Sequence, residues 1–290
     1  MKTSSYKFLI ILLLSVFVFS SCEKEITIDL PKETPKIVIE GYIENGLPAT
    51  VIITKSAPYF DPIDITTLLS SIVRNAKVKI SDGTNSDILD TVKTSDYPFF
   101  FYTGDTIIGE IGKTYILTVE IDGQTYKSQT TIQHPVAFDS IWFKMKPDND
   151  SIGDIFAVGT DNGAEYNYYR VFTKIINKDY TFIPIFGSVW DDKFFNGETF
   201  TVQLYHGIAS NIMNPDEDWS TSYKLGDTVV TKLCTFDYES YTFWSAAESE
   251  IFSGGNPFST TTSVPTNIKG GAIGCWTGYC ASYDTIICKP

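Results

Sequence analysis

The sequence predicts an all-β protein built as two β-rich units. Three observations carry this. Short runs rich in β-branched residues recur with apolar residues at every second position. Clusters of Gly, Asp and Asn separate them. The stretch Ile111-Gly112-Lys113-Thr114-Tyr115 leads straight into an alternating run, the pattern of the tyrosine corner in immunoglobulin-like sandwiches. Residues 36–133 are therefore expected to form an immunoglobulin-like β-sandwich. Residues 134–290 are expected to form a second β-rich domain with one short helix and a cysteine-containing C-terminal segment.

Residues 1–21 read as a secretory signal. Lys2 and Lys7 precede an apolar run of twelve residues from Phe8 to Phe19, and Ser20 and Ser21 close it. The run is shorter than the roughly twenty residues that span a bilayer. It stops at Cys22, and cleavage just before that residue would leave its thiol to carry a diacylglycerol and its amine a further acyl chain. The stretch resembles a bacterial lipoprotein box, with Phe19 where Leu is usual. The alternative is an ordinary signal peptide that ends near a cysteine. Two or three acyl chains at roughly 0.8 kcal/mol per buried methylene anchor a protein stably. Residues 22–35 are polar, carry Pro31 and Pro35 and read as a tether.

In the first unit, "IVIEGYI" and "TVIIT" are strands, and "AKVKI" places Ala76, Val78 and Ile80 on one face. "TYILTVEI" does the same with Tyr115, Leu117, Val119 and Ile121. Turns are expected at 82–85 and 121–124. The excursion "PYFDPIDITTLLSSIV" has room for a short helix. In the second unit, "IFAVG", "YNYYRVFTKII", "TFIPIF", "ETFTVQLYHG" and "DTVVTKLCTF" read as strands. The period then changes: Tyr241, Trp244, Ala247 and Ile251 recur at helical spacing, with Asp237 as N-cap and Gly254 as stop.

Removal of residues 1–21 leaves 20 basic against 35 acidic residues, a net charge near −15. Such a surface repels nucleic acid and anionic headgroups, so no nucleic-acid role is expected. With Cys22 assigned to lipid, Cys234, Cys275, Cys280 and Cys288 remain. An even set in an exported chain suggests two disulfides, Cys275 with Cys280 and Cys234 with Cys288.

Several phrases in order, "IDLP", "IVIEGYI", "VRNAKVKISDG", "IGEIGKTYILTVEIDGQTYKSQTTIQHPVAFDSI", "YNYYRVF", "DDKFFNGETFTVQL" and "GNPFSTTTSVPTNIKGGAIGCW", are together similar to a family of Bacteroidota outer-membrane lipoproteins, domain of unknown function 4249. The resemblance spans nearly all of the mature chain. It implies an outer-membrane lipoprotein, often encoded beside a TonB-dependent receptor, and no established activity. Glu23 and Glu25 after the lipid cysteine resemble surface-export signals of such lipoproteins, or are a solvated linker.

Catalysis has little to stand on. The chain lacks G-x-S-x-G, H-E-x-x-H and a phosphate-cradling glycine loop, and its histidines, His134 and His206, sit at a joint and a strand end. No metal or cofactor is expected: the acidic loops with Asp148, Asp150 and Asp154, and with Asp216, Glu217 and Asp218, read as solvated turns. Asp-Ser/Thr-aliphatic occurs six times, against roughly one or two from residue frequencies. It is either a strand-start pattern or an O-glycosylation acceptor. Tyr166, Tyr168, Tyr169 and Phe172, with Trp190, Phe194 and Phe195, are the candidate binding aromatics; the alternative is that they pack the core. The sequence reading is a non-enzymatic accessory or binding subunit beside a TonB-dependent transporter, with a surface adhesion or structural lipoprotein as the alternative and a hydrolase third.

Overall fold

The computed structural model describes residues 34–57, 64–95, 98–207, 220–253 and 263–290. The signal, Cys22, most of the tether, the acidic loop at 216–218 and Gly254 lie outside the described residues. Residues 35–290 form one compact unit.

The protein is mostly strand. The first half holds β1 (Ile37–Glu44), β2 (Pro48–Lys55), helix α1 (Ile65–Ser71), β3 (Lys77–Ser81), β4 (Ser86–Ile88), β5 (Asp90–Lys93), β6 (Phe100–Ile108), β7 (Thr114–Ile121) and β8 (Gln124–Thr131). The expected boundary near residue 134 falls in the connection to the second half: β9 (Phe138–Lys146), β10 (Asn149–Thr160), β11 (Tyr168–Ile175), β12 (Ile183–Asp191), β13 (Thr199–Leu204), β14 (Tyr223–Lys224), β15 (Thr228–Thr235), helix α2 (Tyr238–Ser253) and β16 (Ile273–Ile287).

Local sequence explains the elements. In β7 the alternate residues Tyr115, Leu117, Val119 and Ile121 are buried, and in β3 Val78 and Ile80 face them. Asp122 (φ 48°) and Gly123 (φ 83°) turn β7 into β8; two successive positive-φ residues give the twist that a tight hairpin needs. The tyrosine corner is present: Tyr115 Oη donates to the Ile108 carbonyl at 3.1 Å and accepts from the Glu110 N–H at 2.7 Å. Asp64 caps α1 by accepting from the Thr67 N–H at 2.7 Å. Asp237 caps α2 through the Ser240 N–H at 2.9 Å.

The two halves share a strand. β16 pairs in parallel with β1 from Ile273↔Val38 to Tyr279↔Glu44. It then pairs antiparallel with β15 from Cys280↔Thr235 to Ile287↔Thr228. The result is one eight-stranded sheet, β12-β11-β15-β16-β1-β2-β6-β5. Two smaller sheets complete the sandwiches. β4-β3-β7-β8 packs with the first half around Ile39, Val51, Tyr115 and Trp276. β13-β10-β14, with β9 beside β10, packs with the second around Ile155, Tyr169, Val171 and Leu233. Even positions along and just past β16 serve both cores: Trp276 and Cys280 enter the first, Ile286 and the following Cys288 the second. The odd residues Tyr279 and Ala281 enter a third cluster with Phe172, Cys234 and Phe236, packed by Tyr241 and Trp244 of α2.

The C-terminal cysteines thus lie on or beside strands, and the expected disulfides do not form: Cys234, Cys275, Cys280 and Cys288 are free and buried. Cys275 and Cys280 are five residues apart on one extended strand, about 16 Å at ~3.3 Å per residue, and point to opposite faces. The Cys288 N–H donates to the Asp227 carbonyl at 2.8 Å, so Cys288 sits seven residues along β15 from Cys234, about 23 Å by the same rise. A disulfide needs Cα atoms within about 7 Å. Backbone and amide hydrogen bonds hold the segment instead. Asn267 bonds both the N–H and the carbonyl of Trp276, at 2.9 and 2.8 Å. The Asn45 amide does the same for Ala281, at 2.6 and 3.4 Å.

Trp276 is fully buried, its indole N–H bonds the Tyr115 carbonyl at 3.0 Å, and its ring lies so near Gly41 that a Cβ there would come within 2.9 Å of it. Trp276→Ala should cost about 3–5 kcal/mol. Because β16 serves both cores, calorimetry should show one transition, moved as a whole to lower temperature. Two separated transitions would show that the halves unfold independently.

Candidate binding surface

The aromatic residues singled out in β11 divide by parity. Tyr169 points into the second core, where Phe195 and Phe200 lie 6.1 and 5.6 Å away ring to ring. Phe172 is buried on the opposite face, edge-on to Tyr279 at 5.9 Å. Trp190 and Phe195 pack against the second core. These four are packing residues, which corrects their reading as ligand contacts. Tyr166 and Phe194 are exposed, at 47% and 91%; Tyr168 is half-buried.

What remains at the surface is a tyrosine array that the sequence shows only in part. Tyr168 lies 5.4 Å from Tyr166, 5.6 Å from Tyr238 and 4.7 Å from Tyr241, the last pair stacked at 29°. Tyr238 is 57% exposed. Tyr166 and Tyr168 come from the entry to β11, Tyr238 and Tyr241 from the first turn of α2. The helix is pinned there because its N-cap carboxylate also accepts from the Thr130 hydroxyl at 2.5 Å and the Thr131 N–H at 3.2 Å in β8. Tyr241 Oη donates to Asp191 at 3.3 Å. Burial, with the neighbouring phenols and Asp191, pushes the Tyr168 hydroxyl up to about 12, so it stays protonated. Stacked ring faces edged by a carboxylate can hold a partner by ring packing and hydrogen bonding. Tyr238 and Tyr241 were legible as helical residues; nothing in their spacing says that they meet β11.

Beneath α2 the opposite face of the sheet carries two buried cations. The Arg170 guanidinium lies 3.5 Å over the Trp244 ring and donates to Tyr279 Oη at 2.7 Å and Ser188 Oγ at 3.4 Å. Ser188 in turn bonds Glu248 of the helix. Lys232 donates to Glu44, which also accepts from Tyr283 Oη. The rings of Phe172, Phe182, Tyr279 and Tyr283 lie 5.4 to 5.8 Å from the ammonium. Burial works against that charge, but Cys234, Glu44 and Tyr283 outweigh it, so the pKa of Lys232 lies above the ordinary lysine value.

Groups with potential for chemistry are engaged elsewhere. His134 is exposed and faces Glu165 at 3.1 Å. His206 is near Asp179 at 3.6 Å and stacks on Tyr223. Among the described residues neither imidazole is bonded to a hydroxyl or thiol. Burial pushes Cys234 and Cys275 up to about 12, and Cys280 and Cys288 up to about 11. A protonated, buried thiol is a poor nucleophile. Among the described residues no three His, Cys, Asp or Glu side chains gather as a metal centre, and no helix is long and apolar enough to cross a membrane. In the first acidic loop Asp154 is held by Ser222 at 2.7 Å and Asp150 by Ser151 at 3.1 Å. Of the six Asp-Ser/Thr-aliphatic triplets, those at Asp105 and Asp284 fall inside β6 and β16, not at strand starts; Thr91, Thr106, Ser140, Ser151 and Thr285 are exposed.

This arrangement defines a two-sandwich β-protein with one sheet in common and an aromatic surface beside the second half. The chain belongs to the family described as Domain of unknown function (DUF4249), whose profile matches residues 23–282. No curated protein matches it.

Two outcomes follow from this chemistry. A thiol reagent should modify none of Cys234, Cys275, Cys280 and Cys288 in the native protein and all four in denaturant, with no reductant required; fewer than four would mean that a disulfide exists. In urea unfolding, Lys232→Met should cost about 3–5 kcal/mol, because it strands the buried Glu44 carboxylate, whereas the joint Lys232→Met and Glu44→Leu change should recover most of that loss.

Proposed function

We propose that the protein is an outer-membrane lipoprotein, anchored through Cys22, that serves as a non-enzymatic accessory or binding subunit beside a TonB-dependent transporter. The observation that carries the binding role is the tyrosine array. It is a partly exposed aromatic surface that joins the entry of β11 to the first turn of α2, with the stacked pair Tyr168 and Tyr241 at its centre. Tyrosine buries a large area on docking at small entropic cost and supplies a hydrogen-bonding hydroxyl. The reading as a lipoprotein rests on the short apolar run that stops at Cys22, and on a family match that begins at the next residue. The strongly acidic surface disfavours loose adhesion to anionic membranes and favours a specific protein contact. A folded module on a short tether stays within reach of a membrane neighbour.

The tests separate anchor from contact. Cys22→Ala should abolish palmitate labelling and release the protein from the membrane fraction; unchanged labelling would end the lipoprotein reading. Purification from native membranes in mild detergent should recover a transporter with the protein. The joint Tyr166→Ala and Tyr238→Ala change should reduce that recovery at least tenfold while leaving the melting temperature within about 1 °C, as expected for exposed side chains. Recovery of the unaltered protein alone, under conditions that keep other receptor–lipoprotein pairs intact, would favour a free-standing surface protein.

A further inference from the structure

Helix α1 is held at its ends and open beneath. Asp64 caps its start. At its far end Ile72 bridges Thr54, and the Val73 N–H donates to the Ile53 carbonyl at 2.9 Å. Arg74 closes the last turn by donating to the Leu69 carbonyl at 3.1 Å. Yet none of the residues of α1 is buried. A helix this short is not stable on propensity alone and depends on packing. Here the packing is incomplete, because a groove of about 290 Å³ lies between the helix and the outer face of β1 and β2. Its walls are largely apolar: Val38 and Ile52 from the sheet, Leu68 and Ile72 from the helix and its end, and Pro98 from the turn before β6. One acidic side chain shares the floor. Glu40 has the parity of Val38 on β1 and pairs across to Ile52 on β2.

We propose that this groove is a binding site for a small aliphatic amine, with Glu40 as the counter-ion of its ammonium group. Glu40 is exposed within the groove, and among the described residues its carboxylate has no hydrogen bond or ion pair. The surrounding walls nevertheless push its carboxyl above the ordinary carboxylate range, and the charge of Arg170 opposes this only in part. An uncompensated carboxylate among apolar side chains selects a cation. The walls select what the cation carries: an unbranched alkyl chain covers Val38, Ile52, Leu68 and Pro98 from water. Thr54 and Thr67 also line the groove, and their hydroxyls are acceptors for the further N–H bonds of a primary ammonium. Lys55 does not fill the role. It ends β2 at the opposite parity to Ile52 and Thr54, which turns its side chain to the other face, and it makes no ion pair with Glu40. The volume lies at the lower end of the range for small-molecule pockets, which favours a free ligand over a segment of a partner protein. The site belongs to the first half of the chain and does not involve the tyrosine array.

The test is calorimetric titration of the full mature chain with n-hexylammonium chloride in a phosphate buffer free of other amines. Saturable binding is expected, with Kd of about 1 mM or tighter. From butyl- through pentyl- to hexylammonium, each methylene should tighten it about threefold. 1-Hexanol should bind roughly tenfold more weakly than hexylammonium, and hexanoate more weakly still, because Glu40 repels it. Glu40→Gln should weaken hexylammonium roughly tenfold and leave hexanol unchanged. Thr67→Trp, which fills the groove from α1, should abolish both. The ranking of amine, alcohol and acid on the unaltered chain decides the matter even where a variant fails to fold. N-acetyl-lysine methylamide should bind roughly tenfold more weakly than pentylammonium, because its amides meet apolar walls. Equal or tighter binding would overturn the assignment to a free amine in favour of a partner's lysine side chain. The proposal would also be overturned by neither saturable heat nor a rise in melting temperature with hexylammonium at about ten times that Kd, by equal affinity for amine and alcohol, or by an unchanged Kd in Glu40→Gln.

Discussion

Fifteen residues at the C-terminal end of the chain decide whether the rest has a shape. β16 gives its first half to β1 and its second half to β15, and its even face feeds two cores in succession. Neither sandwich has a complete inner wall without it. Sequence-local forces do not bring β16 there. Its parallel partner lies more than two hundred positions earlier, so a large loop-closure entropy has to be offset by burial. Trp276 and Tyr279 supply much of that burial on opposite faces. The side-chain amides of Asn45 and Asn267 continue the ladder where no strand is available.

The same constraint explains where the charges are. At the hand-over from β1 to β15 the sheet face is too polar to close with aliphatic residues alone, and Glu44, Lys232 and Tyr283 meet there inside a ring of aromatic side chains. Helix α2 covers the neighbouring stretch through Arg170, Trp244 and Glu248 rather than through a continuous apolar stripe. Such contacts are directional. They fix the angle at which the helix lies, and so fix where its first turn presents Tyr238 and Tyr241 to Tyr168.

Much of the first half was legible in the sequence, because one face of each strand there is solvated and alternation survives. The rows Val78/Ile80 and Tyr115–Ile121, the Asp122-Gly123 turn and the Tyr115 corner needed only period and turn chemistry. Asp237 was legible as a cap for the same reason. β16 was not: both of its faces are covered along Cys275–Cys280, so period two vanishes, and Gly274 and Gly278 weaken its strand propensity. The cysteines then drew attention as staples, when they are small apolar fillers on opposite faces. At the candidate site, sequence singled out the aromatics of β11 but could not sort Tyr166 from Tyr169, because their burial is decided by the partners that cover each face.

The sealed thiols have a consequence for the chain before it folds. In the native protein each thiol is buried and protonated, so an oxidant has no open sulfur to attack. In the unfolded chain Cys275 and Cys280 are close neighbours along a flexible segment and every thiol is open to solvent. A bond between them would fix a short loop in residues that must become straight, and the two sandwiches would then lack their common wall. Oxidative trapping therefore competes with folding, and the time that the last segment stays unpaired sets the size of that hazard.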